Sequence, residues 1–199
     1  MISHTIQYAM ASKSVDRVFV STDDDEISQI SRGDGAEVIP RPTEIAGDTA
    51  TTESAISHAI EWWRGQNLTP EIIVLLQATS PLRPHGSLDE ALEKFRTGGF
   101  DSLLSISPTH RFFWKVSGEE AHAEYDFMNR PRRQDMVESD IRYVENGSVY
   151  IFSTGHFERA GNRLGGKIGY TIFPEAFSPE IDISSDFTLL EEIAKKLKS

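Results

Sequence analysis

The chain has 199 residues, 38% hydrophobic and 26% charged, with a formal charge of −11 and no cysteine. That suits one sizeable globular core, and it excludes disulfides, thiol catalysis and thiolate metal sites. So acidic a chain is a poor general binder of nucleic acid, whose phosphates need clustered Lys and Arg. No apolar run approaches a membrane span and Met1 is not followed by a signal peptide, so a cytoplasmic protein is expected.

Residues 2–11 read as a helix with Ile2, Ile6, Ala9 and Met10 on one face. Residues 17–21 form a short buried strand. Thr22 or Asp23 then caps a helix through Ile27 and Ile30 that ends at Gly33 and Gly35. Residues 37–39 are the next strand, closed by Pro40 and Pro42. A helix follows Asp48, with Ala55, Ile56, Ala59, Ile60 and Trp63 at helical spacing. Residues 71–83, EIIVLLQATSPLR, run from a fully apolar stretch into a proline-broken polar loop. That is the pattern of a buried parallel strand delivering side chains to the carboxyl edge of a sheet, the edge beyond which open α/β sheets bind ligands. Gln77, Thr79, Ser80 and Arg83 are expected there.

A helix over residues 87–95 and a strand over 101–107 continue the βα alternation of a three-layer, mostly parallel fold. Residues 110–141 break it with a polar, aromatic, irregular stretch. A departure that long has a functional or partner-binding reason. Strands resume at 148–152 and 168–173. The last helix buries Leu189, Leu190, Ile193, Ala194 and Leu197, and Lys195, Lys196 and Lys198 suit its carboxyl-terminal dipole. The chain opens on a helix where a doubly wound fold opens on a central strand, so an unpaired groove in the sheet is expected.

Four further segments have chemical content. In residues 41–52, RPTEIAGDTATT, Arg41 offers a fork of donors, and Thr51 and Thr52 put hydroxyls near a helix N-terminus, where anions are favoured; Asp48 and the threonines also suit simple capping. In residues 130–134, RPRRQ, the guanidinium groups suit phosphate or carboxylate, and a solvated basic turn fits equally. Residues 145–150, ENGSVY, carry an Asn-Gly pair that signals a tight turn. In residues 180–186, EIDISSD, a strand would put Ile181 and Ile183 in the core and Asp182 opposite. Asp182 then suits Mg²⁺, which takes one or two carboxylates with substrate phosphates and water. Asp186 stands as a helper or as a helix cap.

These segments, in this order, resemble the CMP-sialic acid synthetase (acylneuraminate cytidylyltransferase) family. The matching pieces are VSTD at 20–23, RPTEIAGDT at 41–49, LLQATSPLR at 75–83, RPRRQ at 130–134, ENGSVY at 145–150, GGK at 165–167 and IDI at 181–183. The resemblance implies a Rossmann-like, glycosyltransferase-A-like nucleotidyltransferase with an α/β/α architecture, formed by residues 1–199 with a dimerisation arm at 110–141. It implies attack of the anomeric hydroxyl of a nine-carbon 2-keto sugar acid, sialic or legionaminic in type, on CTP, giving CMP-sugar and pyrophosphate. By that resemblance Arg41, Thr51, Thr52 and Gln77 hold the nucleotide, and Gln77, Arg132, Gln134, Tyr143 and Asn146 contact the sugar. Arg132, Arg133 and Asp182 are catalytic, Mg²⁺ sits on Asp182 with Asp186, and the protein is a homodimer. Two departures stand out. The family's first strand and its phosphate-wrapping loop have no counterpart before Ile2, and Ser184 replaces a carboxylate of the metal motif. Both also suit a second reading, a non-catalytic subunit that binds nucleotide or sugar or serves as a dimerisation partner.

Overall fold

The computed structural model describes residues 1–197. In chain order the principal elements are α1 (Ile2–Met10), β1 (Phe19–Thr22), α2 (Asp25–Gly33), β2 (Glu37–Pro40), α3 (Thr52–Gly65), β3 (Ile72–Leu75), α4 (Ser87–Gly98) and β4 (Ser102–Thr109). There follow β5 (Trp114–Ser117), β6 (Glu120–Ala123), β7 (Arg142–Ser153), α5 (Thr154–Ala160), β8 (Ile168–Ile172) and α6 (Ser184–Leu197). Lys198, expected near the last helix end, lies outside the described residues.

The main sheet has the order β3-β7-β4-β8. β4 and β8 are parallel, while β7 runs antiparallel to both β3 and β4. β1 and β2 form a separate parallel pair. Helices cover both faces, as a three-layer architecture requires. On one face Leu88, Leu92 and Phe95 of α4 pack on Leu103, Val149 and Ile151. On the other, Ile56 and Ile60 of α3 and Phe157 of α5 pack on Ile73 and Phe152. Alternation along β7 sends Val149 and Ile151 to one layer and Phe152 to the other.

The sheet is interrupted between β1 and β3. A cavity of about 730 Å³ lies there, lined by both strands and by α1, α3 and α4. β3 therefore differs from the expected buried parallel strand: its only described strand partner is antiparallel β7, and only Ile73 is buried.

Several local expectations change. Asp24, not Thr22 or Asp23, caps α2 by accepting from Ile27 N–H at 2.8 Å. Of Asp48 and the threonines it is Thr51 that caps α3, accepting from Ser54 N–H at 3.1 Å. Asn146-Gly147 makes no turn; it lies inside β7, where the pairing with β4 jumps from Leu104↔Tyr150 to Ile106↔Glu145. This is a β-bulge, and Gly147 takes the positive φ (64°) that the bulge needs. Residues 180–183 are not a strand, and Ile183 is 64% exposed. Met10, Leu189 and Leu197 are exposed as well, since no layer covers those helix faces. The short helix α5 was not expected; Ser153 caps it, accepting from His156 N–H.

Candidate functional site

The loop after β3 is pinned from below by Arg83. This guanidinium is only 8% exposed. Its Nε donates to Ser148 O at 3.0 Å, Nη2 to Gln77 O at 2.7 Å and Nη1 to Thr5 Oγ1 at 3.2 Å, over the Tyr8 ring. Burial pushes its pKa down to about 10. Arg83 thus ties β3, β7 and α1 together at the carboxyl edge and is structural, not a ligand group.

Because β7 runs antiparallel, its amino-terminal half comes to the edge where β3 ends. There Gly147 sits against Gln77, Glu180 and Ser80. A Cβ at Gly147 would collide with Gln77 Oε1 and Glu180 Oε1 and come 2.9 Å from Ser80 Oγ. Ile181 N–H donates to Thr79 O at 2.8 Å, which lays residues 180–182 along the same loop. Burial, reinforced by the charges of Asp182 and Glu145, raises the Glu180 pKa. Asp182 is exposed beside it. One wall of the edge is a relay: Glu53 at the start of α3 pairs with Arg163, Arg163 stacks over Tyr150 at 4.6 Å, and Tyr150 donates to Glu145. Burial and Glu145 push the Tyr150 hydroxyl up to about 12.

Arg41 lies at the end of β2, its guanidinium donating to Ser21 Oγ at 3.1 Å and Ser21 O at 2.6 Å. Thr51 and Thr52 open α3, whose Ala55 lines the cavity together with Arg41. The arm residues stand apart from the Gln77 cluster. Arg132 pairs with its neighbour Asp135. Arg133 faces Glu175 at 3.7 Å, which also lies 3.8 Å from His110 just past the end of β4. Gln134 and Tyr143 are exposed. Among the described residues no hydrogen bond or ion pair links these arm groups to Gln77, Glu180 or Asp182.

A family profile described as Cytidylyltransferase matches residues 1–152. The chain belongs to the cytidylyltransferase family. It is 36% identical over 199 residues to N-acylneuraminate cytidylyltransferase of Oncorhynchus mykiss, covering 96% of this chain and 44% of that one. To the B form of that protein in Danio rerio it is 36% identical over 192 residues, covering 92% and 43%. The chain thus spans under half the length of these fish relatives. It is also 27% identical to the post-translational flagellin modification protein B of Campylobacter coli, covering 98% of this chain and 84% of that one. In fold it is similar to CMP:2-keto-3-deoxy-manno-octonic acid synthetase complexed with CTP, with a TM-score of 0.65 at 14% identity over 99% of this chain and 87% of that one. 4-Diphosphocytidyl-2C-methyl-D-erythritol synthase gives 0.67 at 12% identity over 96% and 88%. At those identities the likeness speaks to fold alone.

Two of the expected residues are engaged within the chain. Asn146 is 1% exposed, and its amide bonds to Ser105 and Ser107 inside the sheet, so it shapes the bulge. Asp186 turns its Oδ2 back to the Asp182 and Ile183 N–H groups at 2.9 Å each, which lowers its pKa and caps α6. Glu145, Glu180 and Gly147 were present in the quoted motifs but not singled out. Glu53 and Arg163 carried no local signal, since they meet across 110 positions. No helix among the described residues is long and apolar enough to cross a membrane.

Proposed function

We propose that the chain is the nucleotidyl-transferring part of a CMP-sugar synthetase for a nine-carbon 2-keto sugar acid, acting in the cytoplasm as a homodimer with Mg²⁺. The observation that carries this is the convergence of Gln77, Ser80, Gly147 and the Glu180–Asp182 pair on one sheet edge. The fish relatives are N-acylneuraminate cytidylyltransferases, which supports the sugar class.

In the reaction the anomeric oxygen attacks the α-phosphorus of CTP, the bond to the bridging oxygen of pyrophosphate breaks, and the hydroxyl proton passes to solvent. Such chemistry depends chiefly on positioning and charge neutralisation. Gln77 holds nucleotide or sugar at the edge, and Gly147 leaves the room its amide occupies. Arg41 and the N-terminus of α3, with Thr51 and Thr52, attract the phosphates. Asp182 and Glu180 fit a divalent cation: burial first, and the Asp182 charge after it, raise Glu180, and a cation would offset the second. Among the described residues no group of three or more acid or imidazole side chains is assembled for a metal. Two carboxylates are what Mg²⁺ takes beside phosphate oxygens and water. When bound, the cation neutralises phosphate charge as pyrophosphate departs. Asp186, committed to the helix cap, is not part of this set.

The arm supports the homodimer. Among the described residues its β5–β6 hairpin pairs only with itself; Trp114 on the hairpin is 50% exposed, and Met128, in the loop beyond it, 78%. Apolar and aromatic exposure of that kind marks interaction surfaces. On this reading Arg132, Arg133 and Gln134 act across the dimer on the sugar carboxylate.

The test is to incubate the chain with CTP, Mg²⁺ and, in turn, sialic acid, legionaminic acid and an eight-carbon 2-keto acid. Pyrophosphate and CMP-sugar released with a nine-carbon acid only are expected. CTP binding without pyrophosphate from any acid would favour the second reading, a non-catalytic binding subunit, which the open cavity beside Arg41 keeps in play. No CTP binding overturns the first reading and the nucleotide-binding form of the second.

A further inference from the structure

Among the described residues two ion pairs join α3 to α5 and the loop behind it, one at each end of the helix. Arg64, in the last turn, pairs with Glu158 of α5. Glu53, in the first turn, pairs with Arg163 in the loop between α5 and β8. The two pairs are built differently. The Arg64 and Glu158 side chains are 56% and 40% exposed, a solvated pair of the kind that contributes little. Those of Arg163 and Glu53 are 19% and 24% exposed, so water and salt screen their attraction far less. Arg163 also sits over the Tyr150 ring at 4.6 Å. Its Nε is buried with no hydrogen-bond partner among the described residues, so Glu53 and Tyr150 are what hold the guanidinium.

This chain of contacts joins the two sides of the candidate site. At one end Thr51 and Thr52 immediately precede Glu53 at the start of α3. At the other end Tyr150 donates to Glu145, whose charge acts on Glu180. A carboxylate in the first turn of α3 conflicts with phosphates bound there. It occupies the positive end of the helix dipole and repels an incoming anion. Pairing with Arg163 resolves the conflict: one contact neutralises Glu53 and ties the first turn to β7.

We propose that Glu53 and Arg163 are a positioning pair for the nucleotide: Arg163 cancels the Glu53 charge and locks the amino end of α3 to Tyr150, so that the phosphate-attracting turn and the Glu145–Glu180 side of the edge keep a fixed register. This rests on the reading of the α3 start as the phosphate end. The pair supplies no ligand group of its own; it acts through Thr51, Thr52 and Tyr150. The Arg64–Glu158 pair tethers the same helix at its far end and has no such task, which makes it a built-in control.

The experiment compares Arg163→Met, Glu53→Gln, the two together, and Arg64→Met. CTP affinity is measured by calorimetry with Mg²⁺. Amide exchange at Ser54 and Ala55, the N–H groups that Thr51 accepts from, is followed by NMR without nucleotide. Arg163→Met weakens CTP binding and speeds exchange at both amides, each by roughly tenfold, and Glu53→Gln does both by roughly threefold. The double variant is no worse than Arg163→Met alone, because the pair acts as a unit. Arg64→Met leaves both readouts within about twofold of the parent. Tighter CTP binding in Glu53→Gln would overturn the proposal, since removing the charge would then be all that matters. Unchanged or slower exchange in Arg163→Met would overturn it as well, since a freed Glu53 would then serve the helix dipole better than the pair does. Equal loosening in Arg64→Met would make the two pairs interchangeable clasps and overturn it too. A parent chain that binds no CTP fails the proposed function; the exchange results need no nucleotide and still decide the pair.

Discussion

The β3-β7-β4-β8 sheet is closed and the β1-β2 pair is not. In the four-stranded sheet Leu103, Val149, Ile151 and Phe152 are shut off from solvent. In β1, Phe19-Val-Ser-Thr22, only Val20 and Thr22 are buried. The local pattern is more polar there, and lateral pairing differs as well: among the described residues β1 bonds to one strand only. A strand's burial is therefore a property of its neighbours as much as of its own residues. The candidate site lies where the two halves meet, with Arg41 at the end of one and Gln77 at the end of the other.

Arg83 ties the loop after β3 to β7 and α1 beside that junction, so breaking it should have the largest effect. Arg83→Met strands the Ser148 and Gln77 carbonyls and should cost about 4 kcal/mol in urea denaturation. A loss under about 1 kcal/mol would show that this loop is held elsewhere. Paired truncations sharpen the contrast. Leu103→Ala in the closed half should cost about 3 kcal/mol and Val20→Ala, beside the cavity, about 1 kcal/mol; equal losses would mean that both halves are equally packed. Gly147→Ala forces a side chain onto the Gln77 and Glu180 oxygens at positive φ. It should cost about 2 kcal/mol and weaken CTP binding by tenfold or more in calorimetry, while Gly118→Ala in the arm hairpin, also at positive φ, leaves CTP affinity unchanged.

The smallest effect concerns Glu180. Burial and Asp182 raise its pKa above the ordinary 4.5. The folded state therefore holds this proton more tightly than the unfolded chain. The stability it lends is fully present below 4.5 and is lost as pH rises through the folded value. Glu180→Gln should accordingly gain slightly on the parent chain in denaturation midpoint between pH 5 and pH 7, and lose Mg²⁺-dependent CTP binding. A variant less stable than the parent at pH 7 would reverse the sign and place a cationic partner near Glu180.

Much of this was legible in the sequence because it is local. Helical spacing placed α1, α3 and α4, apolar runs placed β1 to β4, and the loop after β3 announced Gln77. What was not legible depends on pairing across the chain. Asn146-Gly147 has the composition of a turn, and only the register of β4 against β7 makes it a bulge. Residues 180–183 alternate like a strand, but the bond from Ile181 to Thr79 and the Asp186 cap use up the backbone that a ladder needs. The Glu53–Arg163–Tyr150–Glu145 relay joins groups as far as 110 positions apart, and no spacing rule reaches that far.

The central claim is that nucleotide is held at the single edge formed by the loop after β3, the β7 bulge and residues 180–182. Hydrogen exchange in CTP with Mg²⁺ tests it most directly. The account predicts slowed exchange over residues 77–80, 145–148 and 180–182, with the β5–β6 hairpin unchanged. Protection confined to the hairpin, or none at these three segments under saturating CTP, would contradict it.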